Sequence, residues 1–205
     1  MRFTCLMCGK CCRDRNLIVT ITHRDLKRIA DYLGYGPEEL LDLVAFYKIE
    51  KKYMRRMRTP PVVTTGGLYY LGILKLKGGE CIFLSEDNKC LIYNARPMAC
   101  RVFPFTFELK DGWLWQGVAA RAREYCGGLG VGREISEEEF VQLGLQMLRE
   151  LREYVHIVRI WNRFAKRGLF KPTPLAFLRY LLESAHEVEV LVNESKISNC
   201  LKESP

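Results

Sequence analysis

The sequence predicts an α+β fold: a small cysteine-rich body of short strands and loops with flanking helices, followed by a C-terminal extension of two helices. Three observations carry this reading. Short runs rich in Ile, Val and aromatic residues, separated by turn residues, occupy much of residues 62–118. A strongly helical period begins at Ser136 and continues for some thirty positions. Eight of the nine cysteines fall before residue 127. The chain is accordingly divided into a cysteine-cluster domain, 1–132, and a helical extension packed on it, 133–205.

In chain order, residues 1–15 are cysteine-rich and loop-like, and Asn16 to Ile21 reads as a short strand. Thr22 is a helix N-cap with Asp25 three residues later, opening a helix over His23 to Leu33 that Gly34 stops. Gly36-Pro37-Glu38-Glu39 opens a second helix, expected to reach Tyr47. A basic run follows, with Lys48, Lys51, Lys52, Arg55, Arg56 and Arg58, and Pro60-Pro61 ends it. Strands are expected at Leu68–Lys75, Cys81–Leu84, Val102–Leu109 and Trp113–Val118, the last two joined by an Asp111-Gly112 hairpin turn. Ser136 and Glu139 form a capping box. Behind it, Phe140, Leu143, Met147, Leu151, Tyr154, Val158, Trp161 and Ala165 make one apolar stripe on a helix to Lys166. A final helix covers Leu175 to Val192.

With 205 residues, 48% of them hydrophobic, the chain can build a sizeable core without disulfide rescue. It has no apolar run of membrane-spanning length and no signal-peptide pattern near the start. The expected location is therefore the cytoplasm, where disulfides are rare. A net charge of +8 permits contact with nucleic acid or an acidic partner and proves neither.

Cys5, Cys8, Cys11 and Cys12 crowd four thiols into eight residues. Two residues between cysteines let both sulfurs converge on one centre, which is why this half-site recurs in zinc and iron–sulfur loops. Cys12 complicates the motif, because neighbouring residues project in different directions and should not easily share one small ion with Cys11. Cys81, Cys90, Cys100 and Cys126 supply four more thiols. Whether the eight serve two centres or encircle one larger cluster is left open by the spacing. Cys200 reads as an ordinary small hydrophobe. A disulfide framework is the competing reading for a hyperthermophile's protein.

The order Cys5-x2-Cys8-Gly9-x-Cys11-Cys12, then Cys81 and Cys90, then Arg96-Pro97-x-x-Cys100-Arg101-x-x-Pro104, then Cys126-x-Gly128 resembles the CxxCxxCC (YkgJ-like) cysteine-cluster family. Its members are described as chelators of zinc or iron. The resemblance implies that Cys5, Cys8, Cys11, Cys12, Cys81, Cys90, Cys100 and Cys126 are the metal ligands. Flagellin lysine N-methylases carry a similar cluster, and that branch is associated with a 4Fe–4S centre and S-adenosylmethionine.

Other features weigh less. Gly128 to Gly132 looks like a cofactor loop, but it follows a polar segment, and a cluster-wrapping turn fits better. His23, His156 and His186 lack ligand spacing and read as surface or boundary residues. Arg149, Arg152, His156, Arg159, Arg163 and Lys166 form a second stripe on the long helix. It is suited to phosphates, but its interleaved Glu150 and Glu153 favour a plain solvated face.

The function that fits best is an iron–sulfur protein, 4Fe–4S above zinc, with a redox or cluster-dependent role. The alternatives are a protein lysine N-methyltransferase using S-adenosylmethionine and a zinc-stapled nucleic-acid-binding module. The sequence leaves enzyme status, catalytic residues and the protein partner or substrate unassigned. A nucleic-acid partner is possible but not favoured, and no membrane partner is expected.

Overall fold

The computed structural model describes residues 1–49 and 57–185. The fold is α+β, with three small antiparallel sheets and helices on both sides of the cysteine-bearing loops. Strand β1 (Arg2–Phe3) leads through an open loop to helix α1 (Lys10–Arg13), followed by α2 (His23–Leu33) and α3 (Pro37–Leu40). Next come β2 (Val44–Lys48), β3 (Val62–Thr64) and β4 (Gly67–Ile73). Helix α4 (Met98–Val102), the hairpin β5 (Phe105–Lys110) and β6 (Trp113–Val118), α5 (Ala120–Tyr125) and β7 (Leu129–Glu134) precede the long α6 (Glu137–Lys166). A last helix, α7, covers residues 174–185 of the described chain.

Helix α2 begins as its sequence requires. The Thr22 side chain accepts from the Asp25 N–H, Asp25 reaches back to the Thr22 N–H, and Gly34 closes the helix in the left-handed region. The Ser136–Glu139 box caps α6 in the same way. Asp111 and Gly112 both take positive φ, 52° and 81°, as the tight β5–β6 hairpin demands.

Four expectations are corrected. The second helix ends at Leu40. Val44–Lys48 is instead a strand whose five residues pair with Tyr69–Ile73, so tertiary pairing of a β-branched and aromatic run overrides a helical spacing. Residues 16–21 contribute one bridge, Thr20 to Gly72, beside the end of β4 rather than a full strand. Cys81–Leu84 is a turn held by bridges Lys75 to Cys81 and Leu84 to Cys90. The predicted strand from Val102 begins only at Phe105, because Met98–Val102 is helical. The final helix beyond residue 185, His186, Cys200, and Lys51, Lys52, Arg55 and Arg56 of the basic run lie outside the described residues.

Two apolar cores result. The larger joins Leu26 and Ile29 of α2, Leu71 and Ile73 of β4, Tyr154, Val158 and Trp161 of α6, and Phe177, Leu178 and Leu181 of α7. The smaller packs Phe105 and Phe107 of the hairpin on Phe140 and Met147 of α6. Helix α6 thus runs along both, and the larger core draws residues from either side of position 132.

A buried polar network ties α2 to α6. Arg28 bonds both Asp25 and Glu150, and Arg24 bonds Glu153 at 2.5 Å. His23, read from sequence as a surface or boundary residue, is fully buried and stacks on Tyr154.

Candidate metal centre

The N-terminal motif is set up by its own loop. Gly9, at φ 69°, makes the left-handed turn into α1, which presents Cys11 and Cys12 on adjoining positions. Adjacency does not send their sulfurs apart: they stand 3.9 Å from each other, both half-buried.

Each remote thiol is brought to this motif by identifiable bonds. The Cys81 N–H donates to the Cys12 carbonyl at 2.9 Å. Lys75 Nζ donates to the carbonyls of Cys12, Asp14 and Gly79, pinning the end of the motif to the loop that leads to Cys81. The Ser85–Lys89 turn folds Cys90 back, and Arg13 of the motif bonds Asn88 at its tip. Asp25 accepts the Met98 N–H at 2.6 Å, fixing the start of the short helix that carries Cys100. Cys126 caps α5, where Arg121 pairs with Asp14 at 3.0 Å and Tyr125 donates to the same carboxylate. The glycine run beyond it, expected as a cluster-wrapping turn, is largely strand β7 against β1, with the Thr4 N–H on the Gly128 carbonyl. A Cβ at Gly128 would collide with the Thr4 backbone, so glycine there lets the two segments close beside Cys5 and Cys126.

The outcome is one cavity of about 150 Å³ onto which all eight candidate cysteines open: Cys5, Cys8, Cys11, Cys12, Cys81, Cys90, Cys100 and Cys126. None is in a disulfide. The rest of the wall is largely apolar, including Ile18, Phe83, Ile92 and Phe103.

Electrostatics describe an inner group. Cys11 is pushed far up, first by its contact with Cys12 and then by burial. Burial also raises Cys81, Cys90 and Cys100, and each is raised further by thiolate charge from its neighbours. Cys11 charge raises Cys81, Cys90 and Cys100, Cys90 raises Cys81 and Cys100, and Cys5 raises Cys90, so these thiols lie near one another. Lys75 opposes the rise at Cys81, and Arg96, stacked 3.7 Å over the Tyr93 ring, opposes it at Cys90 and Cys100. Tyr125 on the cavity wall is pushed up to about 12 by burial and by Asp14.

The donor set is all sulfur in an apolar setting, which suits zinc or an iron–sulfur centre and not magnesium or calcium. Among the described residues no three Cys, His, Asp or Glu side chains stand close enough to share a single ion. Among the described residues no histidine lines the cavity, and His156 is exposed on α6. Sequence reasoning missed Lys75, Arg96, Asp14 and Tyr125 as parts of the site. Only Arg96, inside the Arg-Pro segment before Cys100, carried any local signal.

Such a ring of thiols defines a cysteine-based metal-binding protein. The chain belongs to the CxxCxxCC family, whose profile matches residues 4–126 and is described as "Putative zinc- or iron-chelating domain". An uncharacterized protein of Methanocaldococcus jannaschii is 32% identical over 150 residues, covering 73% of this chain and 70% of that protein. No solved structure matches. Among the described residues no helix is long and apolar enough to cross a membrane.

Proposed function

We propose that the chain is a cytoplasmic iron–sulfur protein that holds a 4Fe–4S cluster in the thiol ring and uses it in redox or cluster-dependent chemistry. The supporting observation is the cavity itself: eight thiols around a shared space, with no trio drawn tightly enough for one ion. A polynuclear core keeps its thiolates further apart than a single zinc ion does. Once bound, such a cluster supplies one-electron transfer at a potential set by its surroundings.

In this reading Cys11, Cys81, Cys90 and Cys100 are the principal ligands, and Cys5, Cys8, Cys12 and Cys126 flank them. These four resist ionisation without a cation, Cys11 first through its contact with Cys12 and the other three first through burial, with neighbouring thiolate charge adding to it. A metal centre reverses that balance and releases protons as it binds. Lys75 and Arg96 offset part of the thiolate charge.

Anaerobic purification followed by iron, zinc and acid-labile sulfide analysis tests the proposal. Equal iron and sulfide with visible charge-transfer absorption is the expected result. A colourless protein with stoichiometric zinc overturns it. Within the ring, Cys100→Ser is expected to abolish cluster retention, and Cys8→Ser, at the exposed edge, to reduce it less.

A further inference from the structure

The cationic stripe on α6 changes meaning once the helix is in place. Arg149, Arg152, His156, Arg159, Arg163 and Lys166 are all exposed on its outer face. At about 1.5 Å per residue they span about 25 Å. The two acids that interleave them in sequence do not lie among them in space. Glu150 is buried against Arg28 and Gln146, and Glu153 bonds Arg24. Among the described residues none of the six stripe side chains has an ion-pair partner. Like charges three or four apart repel along a helix, so this face is arranged against the helix's own interest.

We infer that this face binds the phosphate backbone of duplex DNA, independently of sequence. Charge complementarity to a polyanion is direct, and four of the six groups are guanidinium-bearing, the form that meets phosphate oxygens two at a time. The stripe contains no aromatic platform of the kind that grips unstacked single strands. A straight rod carrying roughly one cation per turn can follow a row of backbone phosphates, and backbone contacts carry no base readout. This inference does not depend on which metal fills the thiol ring.

Fluorescence anisotropy of the metal-loaded protein with a short duplex DNA of random sequence tests it. Affinity is expected to fall steeply with salt, with a log–log slope of about −3 to −5, as four or five phosphate contacts require. Arg152→Glu/Arg159→Glu should weaken binding at least tenfold, while Lys77→Glu/Arg123→Glu, an equal change in net charge elsewhere on the surface, should leave it within twofold. Both variants are checked for unchanged circular dichroism and metal content. Equal weakening by both pairs, salt-insensitive or absent binding, or tighter binding to anionic vesicles or single-stranded RNA than to the duplex overturns the assignment.

Discussion

The thiol ring and the helical core are built by different means. The core of α2, α6 and α7 rests on continuous apolar burial, with Tyr154, Phe177 and Leu181 fully enclosed. The ring contains a two-residue strand, single bridges and a four-residue helix, held by hydrogen bonds that Lys75 and the Cys81 N–H donate and Asp25 accepts, and by the Asp14–Arg121 ion pair. One region folds by removing surface from water. The other docks on that core through Phe83 and Ile92 and adds a frame of polar ties around thiols that repel when charged.

The sharpest way to break that contrast is to remove the metal. Structural metal sites contribute on the order of 10 kcal/mol to folding. Chelation should therefore strip hydrogen-exchange protection from the amides of Thr4, Cys81 and Leu84 while those of Leu26, Tyr154 and Val158 stay protected. A ring that remains protected without metal would show it to be self-supporting.

The next largest effect belongs to the network between the two regions. Arg28→Ala leaves Asp25 and Glu150, both nearly inaccessible, without their shared cation. A loss of about 3–5 kcal/mol is expected by chemical denaturation. Because Asp25 also holds the Met98 N–H, the same variant should loosen metal retention. Arg179→Ala, at the exposed pair with Glu38, should change neither.

A pH titration separates the regions further. Burial, with Arg24 and Arg28 adding to it and Glu150 opposing, lowers His23 from 6.5 to about 4. Glu153 and Tyr154 also face the ring. The native state thus favours neutral His23. Its contribution is complete above pH 6.5 and is lost as pH falls toward 4. The gap corresponds to about 3 kcal/mol. Stability of the metal-loaded protein should decline across that window, and His23→Leu should flatten the decline. An unchanged slope in that variant would place the acid sensitivity in the ring.

The smallest effect probes the second core. A Cβ at Gly144 of α6 would stand 2.5 Å from the Phe107 ring. Gly144→Ala should cost about 1–3 kcal/mol through overpacking and leave metal content unchanged, which thermal melts and metal analysis would show together.

The same division explains what could be read in advance. Helix α6 was legible to its ends, because a capping box, an acidic first turn and a stripe of Phe140, Met147, Tyr154 and Trp161 are local signals that agree. The hairpin was legible from Asp111-Gly112. The family was legible because thiols crowd only for a chemical reason. Val44–Lys48 was not, since Leu40, Leu43, Val44 and Tyr47 also fit a helix, and only pairing with β4 decides between the two. The inward turn of Glu150 and Glu153 was equally hidden, because it depends on Arg24 and Arg28 more than a hundred positions away.

The pairing of β1 with β7 carries one further consequence, for synthesis. Cys5 to Cys12 leave the ribosome more than a hundred residues ahead of Cys126 and the strand that closes on Thr4. A nascent chain therefore exposes four clustered thiols until Cys81 and the residues after it emerge to complete their shell. Loading of the full centre must wait until Cys126 has been made, so whatever delivers the metal meets a chain in which all eight thiols are already present.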